Sequence, residues 1–490
     1  MYSFLISVVL LVLGYFLYGR FVEKIFKPDA SRQTPAYAKS DGMDYIPMPG
    51  WKVFMVELLN IAGTGPIFGA IMGAMYGPAC YIWIVIGCIF GGAVHDYFSG
   101  MISLRHDGVE LPGIIGLYLG KAAKQVMLAF TLLLLLLVGA VFVYSPALIL
   151  GGMTGGSNAA VMSWVVLILL YYIIATLLPI DKIIGRIYPV FALVLLFMAV
   201  SLMVCLMVKW PSGIPELWSG LQNRAPSNGP IFPCMFITIA CGAVSGFHAT
   251  QSPLMARCLK NERNGRQVFY GSMVAEGFIA LVWATVSSYF FFGGGNAELG
   301  ATDVTAAPQV VTTVAKGWLG VFGGILAVLG VVIAPISTGD TALRSARLML
   351  SDAMKYDQKP LKNRLVVSIP IFIVTGLLLW YNIADTSGFD NIWRYFGWFN
   401  QTLSVFTFLA ISVYLVRHGK GVQWLVSLIP GCFMIAVTTT FICISKIGFN
   451  LPEAAAPYIG CGTFLVSFLT FCIFTLRKER RLPSSENTNK

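Results

Sequence analysis

The chain has 490 residues, of which 57% are hydrophobic and only 11% are charged, and its formal net charge is +11. This composition excludes a soluble globular domain, in which about 25% of the residues are charged. Apolar runs of about 20 residues, the length that crosses a bilayer, recur along the sequence and predict an all-α polytopic membrane protein. A β-barrel is excluded because its strands are short and alternate in polarity.

Thirteen membrane-spanning helices are predicted. They lie near residues 2–22, 51–77, 79–104, 123–150, 161–181, 187–209, 230–258, 266–293, 317–340, 362–382, 394–416, 421–445 and 455–476. The first is interpreted as a retained helix and not a signal peptide, because no Lys or Arg precedes it. The segments Leu111–Lys121 and Thr341–Met354 are predicted to be surface or interfacial helices.

The basic residues divide unevenly between the connections. When successive connections are assigned alternately to two sides, one side receives 28 of the 33 Lys and Arg residues and the other receives five, Lys209, Arg224, Lys316, Arg394 and Lys446. By the positive-inside rule the side with 28 is cytoplasmic, so the amino terminus is expected outside and the carboxyl terminus inside. The net charge therefore reflects membrane topology and not a nucleic-acid surface.

Two of the predicted spans are interrupted near mid-depth by small residues. The first reads WKVFMVELLNIAGTGPIFGAIMGAMYG over Trp51–Gly77, and the second reads FPCMFITIACGAVSGFHATQSPLMARCL over Phe232–Leu259. Unpaired backbone at that depth is tolerated only where it lines a cavity inside the protein, so both spans are predicted to be discontinuous helices. A matched pair of such helices is the best sequence indication of a secondary transporter's binding site.

Each discontinuous helix opens a group of five spans, and the two groups enter the membrane from opposite sides. This is the 5+5 inverted-repeat arrangement of the leucine-transporter (LeuT) fold. The predicted divisions are an N-terminal helix with its connection over 1–50, repeats over 51–209 and 210–420, two C-terminal helices over 421–476 and a cytoplasmic tail over 477–490.

Five stretches of the sequence are distinctive: SRQTPAYAKSDGMDYIP (Ser31–Pro47), IAGTGPIFG (Ile61–Gly69), GGAVHDYFSG (Gly91–Gly100), IFPCMFITIACGAVSGFHA (Ile231–Ala249) and DTALRSARLMLSD (Asp340–Asp352). They resemble the corresponding stretches of the CstA carbon-starvation proteins. The resemblance implies an inner-membrane importer of bacteria under carbon limitation, with pyruvate and small peptides as substrate classes. It also implies coupling to an ion gradient, with protons favoured over sodium and no other cofactor. The family pattern has a His pair before the first interruption, where this chain has Val56-Glu57.

Both interruptions carry groups suited to a small carboxylate. In the first, Ala62, Gly63, Thr64, Gly65 and Pro66 combine glycine flexibility with a proline suited to the first turn of a new helix. The positive end of that half-helix favours an anion. In the second, Ser245 adds a hydroxyl, Phe247 an aromatic ring and His248 an imidazole, and Gly246 again gives flexibility. The alternative is a glycine-rich packing interface between helices.

Ionisable residues inside the membrane are the candidates for ion coupling, since each costs about 2.5–3.5 kcal/mol to insert. Glu57, His248 and Glu276 are predicted to bind the proton. A carboxylate that fixes a helix pair is the alternative for Glu57 and Glu276. His95 and Asp96 are placed near the cytoplasmic end of their span, at a different depth from His248, and are predicted to form a structural or gating group with Arg105.

Three further positions carry hypotheses. In LeuT-like sodium transporters a hydroxyl pair holds the ion against the first discontinuous helix, and Ser337 and Thr338 are the matching candidates for a sodium site. Asp340 is interpreted as the N-cap of the helix Thr341–Met354. Asn400 and Gln401 are predicted to line the substrate cavity, with interhelical hydrogen bonding as the alternative.

The predicted function is therefore secondary import of small carboxylate-bearing nutrients by alternating access. A membrane sensor of starvation, a sodium-coupled importer of another organic acid or amino acid, and an intramembrane enzyme using His95, Asp96 and His248 are the alternatives. The absence of a Walker glycine loop argues against an ATP-driven pump. Ten cysteines without a C-x-x-C pair indicate neither a zinc cage nor a disulfide framework. The oligomeric state is left open.

Overall fold

The computed structural model describes residues 1–177, 184–358, 360–384 and 388–479. We number the principal helices in chain order: α1 Tyr2–Phe26, α2 Gly50–Ile61, α3 Gly65–Ala74, α4 Ala79–Arg105, α5 Leu111–Leu119, α6 Lys121–Met153, α7 Asn158–Leu177 and α8 Ile184–Lys209. After two short helical pieces, Ile231–Met235 and Phe236–Thr238, follow α9 His248–Ala256, α10 Glu262–Phe292, α11 Ala307–Met354, α12 Leu361–Ala384, α13 Gly388–His418, α14 Leu425–Ile444 and α15 Glu453–Ile473. Part of the predicted C-terminal tail and the end of the predicted span 161–181 lie outside the described residues.

The predicted all-α polytopic architecture is confirmed, whereas the exact number of spans is not. Within the described residues, 11 helices are long and apolar enough to cross a membrane, and α2 with α3 forms a twelfth span that is bent by 57° at its break. The seventh predicted span, over 230–258, has no continuous helix, because residues 239–247 separate its helical pieces.

The charge-based assignment of sides agrees with the packing. Connections predicted to share the basic side meet in space: Lys39 pairs with Asp107, Arg257 with Glu110 and Arg266 with Glu23. We call this the basic face. At the opposite face Lys209 pairs with Glu298, and the backbone N–H groups of Tyr2 and Ser3 donate to the carboxylate of Glu216. The connections that make these contacts thus fall into the same two sets as the charges give.

The helix α11 corrects two predictions. Its span Gly323–Met354 is continuous through Asp340, so Asp340 does not cap a separate helix over Thr341–Met354. The Tyr188 hydroxyl donates to Asp340 Oδ2 at 2.6 Å instead. Arg344 and Arg347 in the same stretch are buried, which excludes a surface helix. Polar residues continue here because they pair inside the bundle, where a buried polar group needs a partner.

Candidate functional site

The two helix breaks lie against each other in the interior. In the first, Ala62–Thr64 separates α2 from α3, and in the second, residues 239–247 precede α9. A Cβ atom at Gly65 would come within 2.3 Å of Cys241 Sγ, and one at Gly69 within 2.8 Å of the Thr238 carbonyl oxygen. Glycine at these positions therefore allows the broken helices to approach closely. The predicted residues Ala62–Pro66 and Ser245–His248 are all buried.

The second break is held in place by Asn400 of α13. The Asn400 Oδ1 atom accepts hydrogen bonds from Ser245 Oγ at 3.1 Å and from the Phe247 backbone N–H at 2.7 Å. Gln401 Nε2 donates to the Phe236 carbonyl at 3.1 Å, on the other side of the same break. Both carboxamides thus satisfy backbone and hydroxyl groups that the interrupted helix leaves without helical partners. Asn400 Nδ2 and Gln401 Oε1 have no hydrogen-bond partner among the described residues, so both side chains stay candidates for lining the cavity as well.

An ionisable cluster surrounds the two breaks. It contains Asp96 of α4, which accepts from Nδ1 of His95 and from Nδ1 of His248, each at 2.8 Å. On the other side of the imidazole, His248 Nε2 lies 3.6 Å from Glu276 Oε2 of α10. Each of these side chains is at most 1% exposed. Two carboxylates and two imidazoles thus share one water-poor volume, where an uncompensated negative charge is strongly disfavoured.

Glu57 joins this cluster from the first discontinuous helix. The Ser252 hydroxyl of α9 donates to Glu57 Oε1 at 3.0 Å and also lies 3.2 Å from the His248 carbonyl oxygen. The carboxylate therefore links the first broken helix to the second. Its other oxygen, Oε2, has no hydrogen-bond partner among the described residues.

The prediction that His95 and Asp96 lie at a different depth from His248 is wrong, since Asp96 contacts His248 directly. Their predicted grouping with Arg105 is also wrong. Arg105 lies at the basic face, where its guanidinium bonds Glu262 and packs 3.9 Å from the ring centroid of Phe26. The predicted depths assumed straight α-helices with a constant rise per residue. Residues 87–92 instead form a π-helical stretch, and the second break is not helical.

The hydroxyls predicted for a sodium site have different partners. Thr338 Oγ1 lies 2.9 Å from the Ala334 carbonyl oxygen of its own helix and 3.0 Å from the Leu59 carbonyl oxygen of α2, so this side chain does reach the first discontinuous helix. Ser337 Oγ instead donates to the Ala334 carbonyl of its own helix at 2.8 Å. The structure therefore brings one member of the pair to the break and not the other.

Sequence reasoning missed Asn60, Cys241 and Ser252. Asn60 is buried one turn after Glu57, and neither its Oδ1 nor its Nδ2 has a partner among the described residues; the same holds for Thr64 Oγ1. The spacing of Glu57 and Asn60 follows one helical face and was a usable signal. Buried polar atoms left unpaired by the protein indicate a place where a polar ligand or water is held.

The basic face is closed by a buried ion pair at the end of α9. Arg257 Nη2 lies 2.7 Å from Glu110 Oε1, and Arg257 Nε donates to the Gly108 carbonyl. Both side chains are at most 5% exposed. Burial raises the pKa of Glu110 to about 8, although Arg257 acts to lower it.

We expect Arg257→Ala to cost about 3–5 kcal/mol of stability above pH 8, where Glu110 is ionised in the parent protein and would be left buried without its partner. Without Arg257 the pKa of Glu110 in the folded state rises further above its ordinary value in the unfolded state. Between these two pKa values the folded state holds a proton that the unfolded state has released. The stability gap to the parent protein should therefore widen as the pH rises through 8. Thermal unfolding in detergent at several pH values measures this.

The matched control is Arg32→Ala. Arg32 pairs with Glu262 at 3.5 Å but its side chain is 50% exposed, so its loss should cost at most about 1 kcal/mol. Equal destabilisation by the two substitutions would contradict the role of the Arg257–Glu110 pair.

Comparison with known families gives one match over most of the chain. The family described as "Carbon starvation protein CstA" matches residues 1–163, 154–318 and 294–441. These ranges include both breaks and every residue of the buried cluster.

Individual relatives cover most of the chain as well. An uncharacterized membrane protein of Haemophilus influenzae is 46% identical over 336 residues, which are 59% of this chain and 91% of that protein. The peptide transporter CstA of Campylobacter jejuni is 26% identical, covering 89% of this chain and 79% of its own length. The pyruvate/proton symporter BtsT of Escherichia coli is 25% identical, covering 88% and 80%.

Solved structures resemble the fold at low sequence identity. MhsT in complex with L-phenylalanine superposes with a TM-score of 0.55 at 14% identity, covering 85% of this chain and 98% of that one. The manganese transporter of Eremococcus coleocola gives a TM-score of 0.58 at 13% identity, covering 90% and 99%. These similarities support the predicted LeuT-like core with two discontinuous helices.

Proposed function

The chain belongs to the Carbon starvation protein CstA family, and from this membership and the buried cluster we propose that it imports small carboxylate-bearing nutrients together with protons. It is a secondary transporter, in keeping with relatives named as peptide transporters and as a pyruvate/proton symporter. The observation that carries the proposal is the meeting of both helix breaks at a buried set of acidic residues, Glu57, Asp96 and Glu276.

Glu57 is the proposed proton carrier. It is fully buried, it belongs to the first discontinuous helix and its bond from Ser252 ties that helix to the second. Protonation removes its charge and turns one carboxylate oxygen into a donor. A change in this bond alters the contact between two helices that must move relative to each other in alternating access.

Peptides and pyruvate are the proposed substrates. Both carry a carboxylate, which suits the positive end of α3 directly after the first break. The Asn60 carboxamide and the Thr64 hydroxyl, which have no partner among the described residues, lie at the same break and supply further hydrogen-bonding groups. The proposed location is the bacterial cytoplasmic membrane, with the basic face inside and the amino terminus outside.

Transport is proposed over catalysis. The structure joins His95, Asp96 and His248, which is the grouping that an intramembrane enzyme would use. The relatives from Campylobacter jejuni and Escherichia coli that match along most of the chain are named for transport, however, so we propose that the cluster serves ion coupling and not a chemical reaction.

Uptake by the purified protein in proteoliposomes tests the proposal. With one proton per substrate, each pH unit of an inward gradient supplies about 1.4 kcal/mol and supports about tenfold accumulation. We expect labelled pyruvate or a dipeptide to accumulate under an acid-outside gradient. An equal sodium gradient should not drive uptake, and accumulation driven by sodium alone would contradict proton coupling.

The effect of membrane potential separates the two substrates. One proton with a pyruvate anion moves no net charge, so uptake should not respond to an imposed potential. One proton with a zwitterionic dipeptide moves one positive charge, and an inside-negative potential of 100 mV adds about 2.3 kcal/mol, or roughly 50-fold accumulation. The substrate class is therefore read from the electrical response, with a protonophore as the control.

A further inference from the structure

Three side chains of different metal-binding types converge where the second break meets α10. They are Cys241 in the break, His248 at the start of α9 and Glu276 in α10, and one ligand atom from each lies within 4.8 Å of the others. All three are buried, with exposures of 3% or less. Their spacing in the sequence gives no C-x-x-C or H-E-x-x-H pattern because the ligands come from separate elements.

Asp96 orients the imidazole for metal binding. His248 Nδ1 lies 2.8 Å from Asp96 Oδ2, so Nδ1 carries the hydrogen and the lone pair of Nε2 is directed away from Asp96. A carboxylate behind a ligating histidine is the usual outer shell of a metal site, since it fixes the tautomer and increases the ligand's basicity. Asp96 is itself fixed by His95 Nδ1.

The Cys241 thiol has one weak partner, since it lies 3.6 Å from Ser245 Oγ, whereas the other two side chains have atoms left for a ligand within the described residues. His248 Nε2 and both carboxylate oxygens of Glu276 have no hydrogen-bond partner among the described residues. The distance between His248 Nε2 and Glu276 Oε2 is 3.6 Å, which is too long for a hydrogen bond. It is close to the separation of roughly 3.4 Å between two ligands that each lie about 2.05 Å from a tetrahedral ion.

We propose that Cys241, His248 and Glu276 bind one Zn²⁺ ion, with Asp96 as the positioning residue behind His248. Thiolate, imidazole and carboxylate are the ligands that zinc takes, whereas Mg²⁺ and Ca²⁺ require oxygen ligands. On binding, the Cys241 thiol releases its proton to solvent. The thiolate and the Glu276 carboxylate then balance the two charges of the ion, which makes a buried site acceptable.

Three protein ligands leave one coordination position open, as in zinc sites that bind an exogenous oxygen ligand. The ion would also tie the non-helical second break to α10. His248 and Glu276 are then occupied as ligands, and Glu57 is left as the carboxylate that carries the proton. The metal site does not depend on the proposed function, because its test measures binding alone.

Metal binding to the purified full-length protein is the test. After chelator treatment and incubation with excess Zn²⁺ and desalting, elemental analysis should give one Zn²⁺ per chain. Co²⁺ as a probe should give the visible bands of a tetrahedral ion and a near-ultraviolet sulfur-to-cobalt charge-transfer band. Asp96→Asn should weaken the affinity about 10–100-fold.

The variants Cys241→Ser and Glu276→Gln separate loss of ligands from loss of folding. Cys241→Ser should abolish the charge-transfer band, and Cys432→Ser, which alters another buried cysteine, should keep it. If Cys241→Ser does not elute as a monodisperse protein, Glu276→Gln is the deciding variant. In that variant, a sulfur-to-cobalt band that is kept together with a lowered metal affinity supports the site. Substoichiometric metal in the parent protein, or stoichiometric Co²⁺ without a sulfur band, would overturn it.

Discussion

A Glu57→Gln variant is expected to lose accumulation driven by a pH gradient while it keeps substrate exchange. Glutamine has nearly the same shape and still accepts the hydrogen bond from Ser252, so the contact between α2 and α9 is retained. It cannot take up or release a proton, however, and it stays permanently neutral. Under a gradient of one pH unit, the roughly tenfold accumulation of the parent should fall to equilibration. Exchange of labelled for unlabelled substrate, without a gradient, should continue at a comparable rate.

The matched control for this variant is Glu453→Gln, which removes an exposed carboxylate at the start of α15. It should leave both accumulation and exchange unchanged. Gradient-driven accumulation that survives Glu57→Gln would remove Glu57 from the coupling mechanism. Loss of exchange together with accumulation would assign Glu57 to substrate binding or to packing.

A Gly246→Ala variant is expected to disrupt the second break and abolish transport. A Cβ atom at Gly246 would come within 2.3 Å of both the Asn400 carbonyl oxygen and the Ser404 backbone nitrogen. These are backbone atoms of α13 and cannot rotate away, so the break must separate from α13. We expect a loss of about 3 kcal/mol or more of stability, with the bonds from Ser245 and Phe247 to Asn400 broken.

Gly376→Ala is the control for this substitution. Gly376 lies in α12, and no atom of the described residues is within 4 Å of a Cβ added there. Alanine in the interior of a helix is favoured over glycine by about 0.5–1 kcal/mol, so this variant should be as stable as the parent or slightly more so. Thermal unfolding in detergent and uptake in proteoliposomes compare the two. A Gly246→Ala protein with parental stability and uptake would show that the contact to α13 is not needed.

The positions of the breaks followed from the sequence because their cause is local. Pro66 and the glycines around it interrupt an apolar run wherever they occur, and unpaired backbone is then confined to the interior. Glu57 was found for the same reason, since a carboxylate inside an apolar span needs a protein environment. The division of the basic residues also depended only on the order of the spans.

The partners inside the bundle could not be predicted, because they depend on helix tilt and on distance across the fold. Asp96 and His248 are 152 residues apart in sequence and belong to different helices. Counting residues along straight helices placed them at different depths, whereas the π-helical residues 87–92 and the non-helical residues 239–247 shift both. Asp340 has the local signature of an N-cap, but Tyr188 from another helix supplies its partner.

Cys241 shows a second limit of local reasoning. One cysteine in an apolar stretch resembles a packing residue, and cysteine is among the most often buried residue types. Its position beside His248 and Glu276 depends on how the break folds against α10. Ligand sets drawn from separate helices leave no spacing pattern that a sequence can display.

Substrate-driven proton entry is the measurement that tests the proposed function most directly. Proteoliposomes containing the protein and an internal pH dye, with no gradient imposed, should acidify inside when pyruvate or a dipeptide is added outside. The Glu57→Gln vesicles should take up substrate to equilibrium without that acidification. Substrate entry into parental vesicles with no change in internal pH would contradict proton symport.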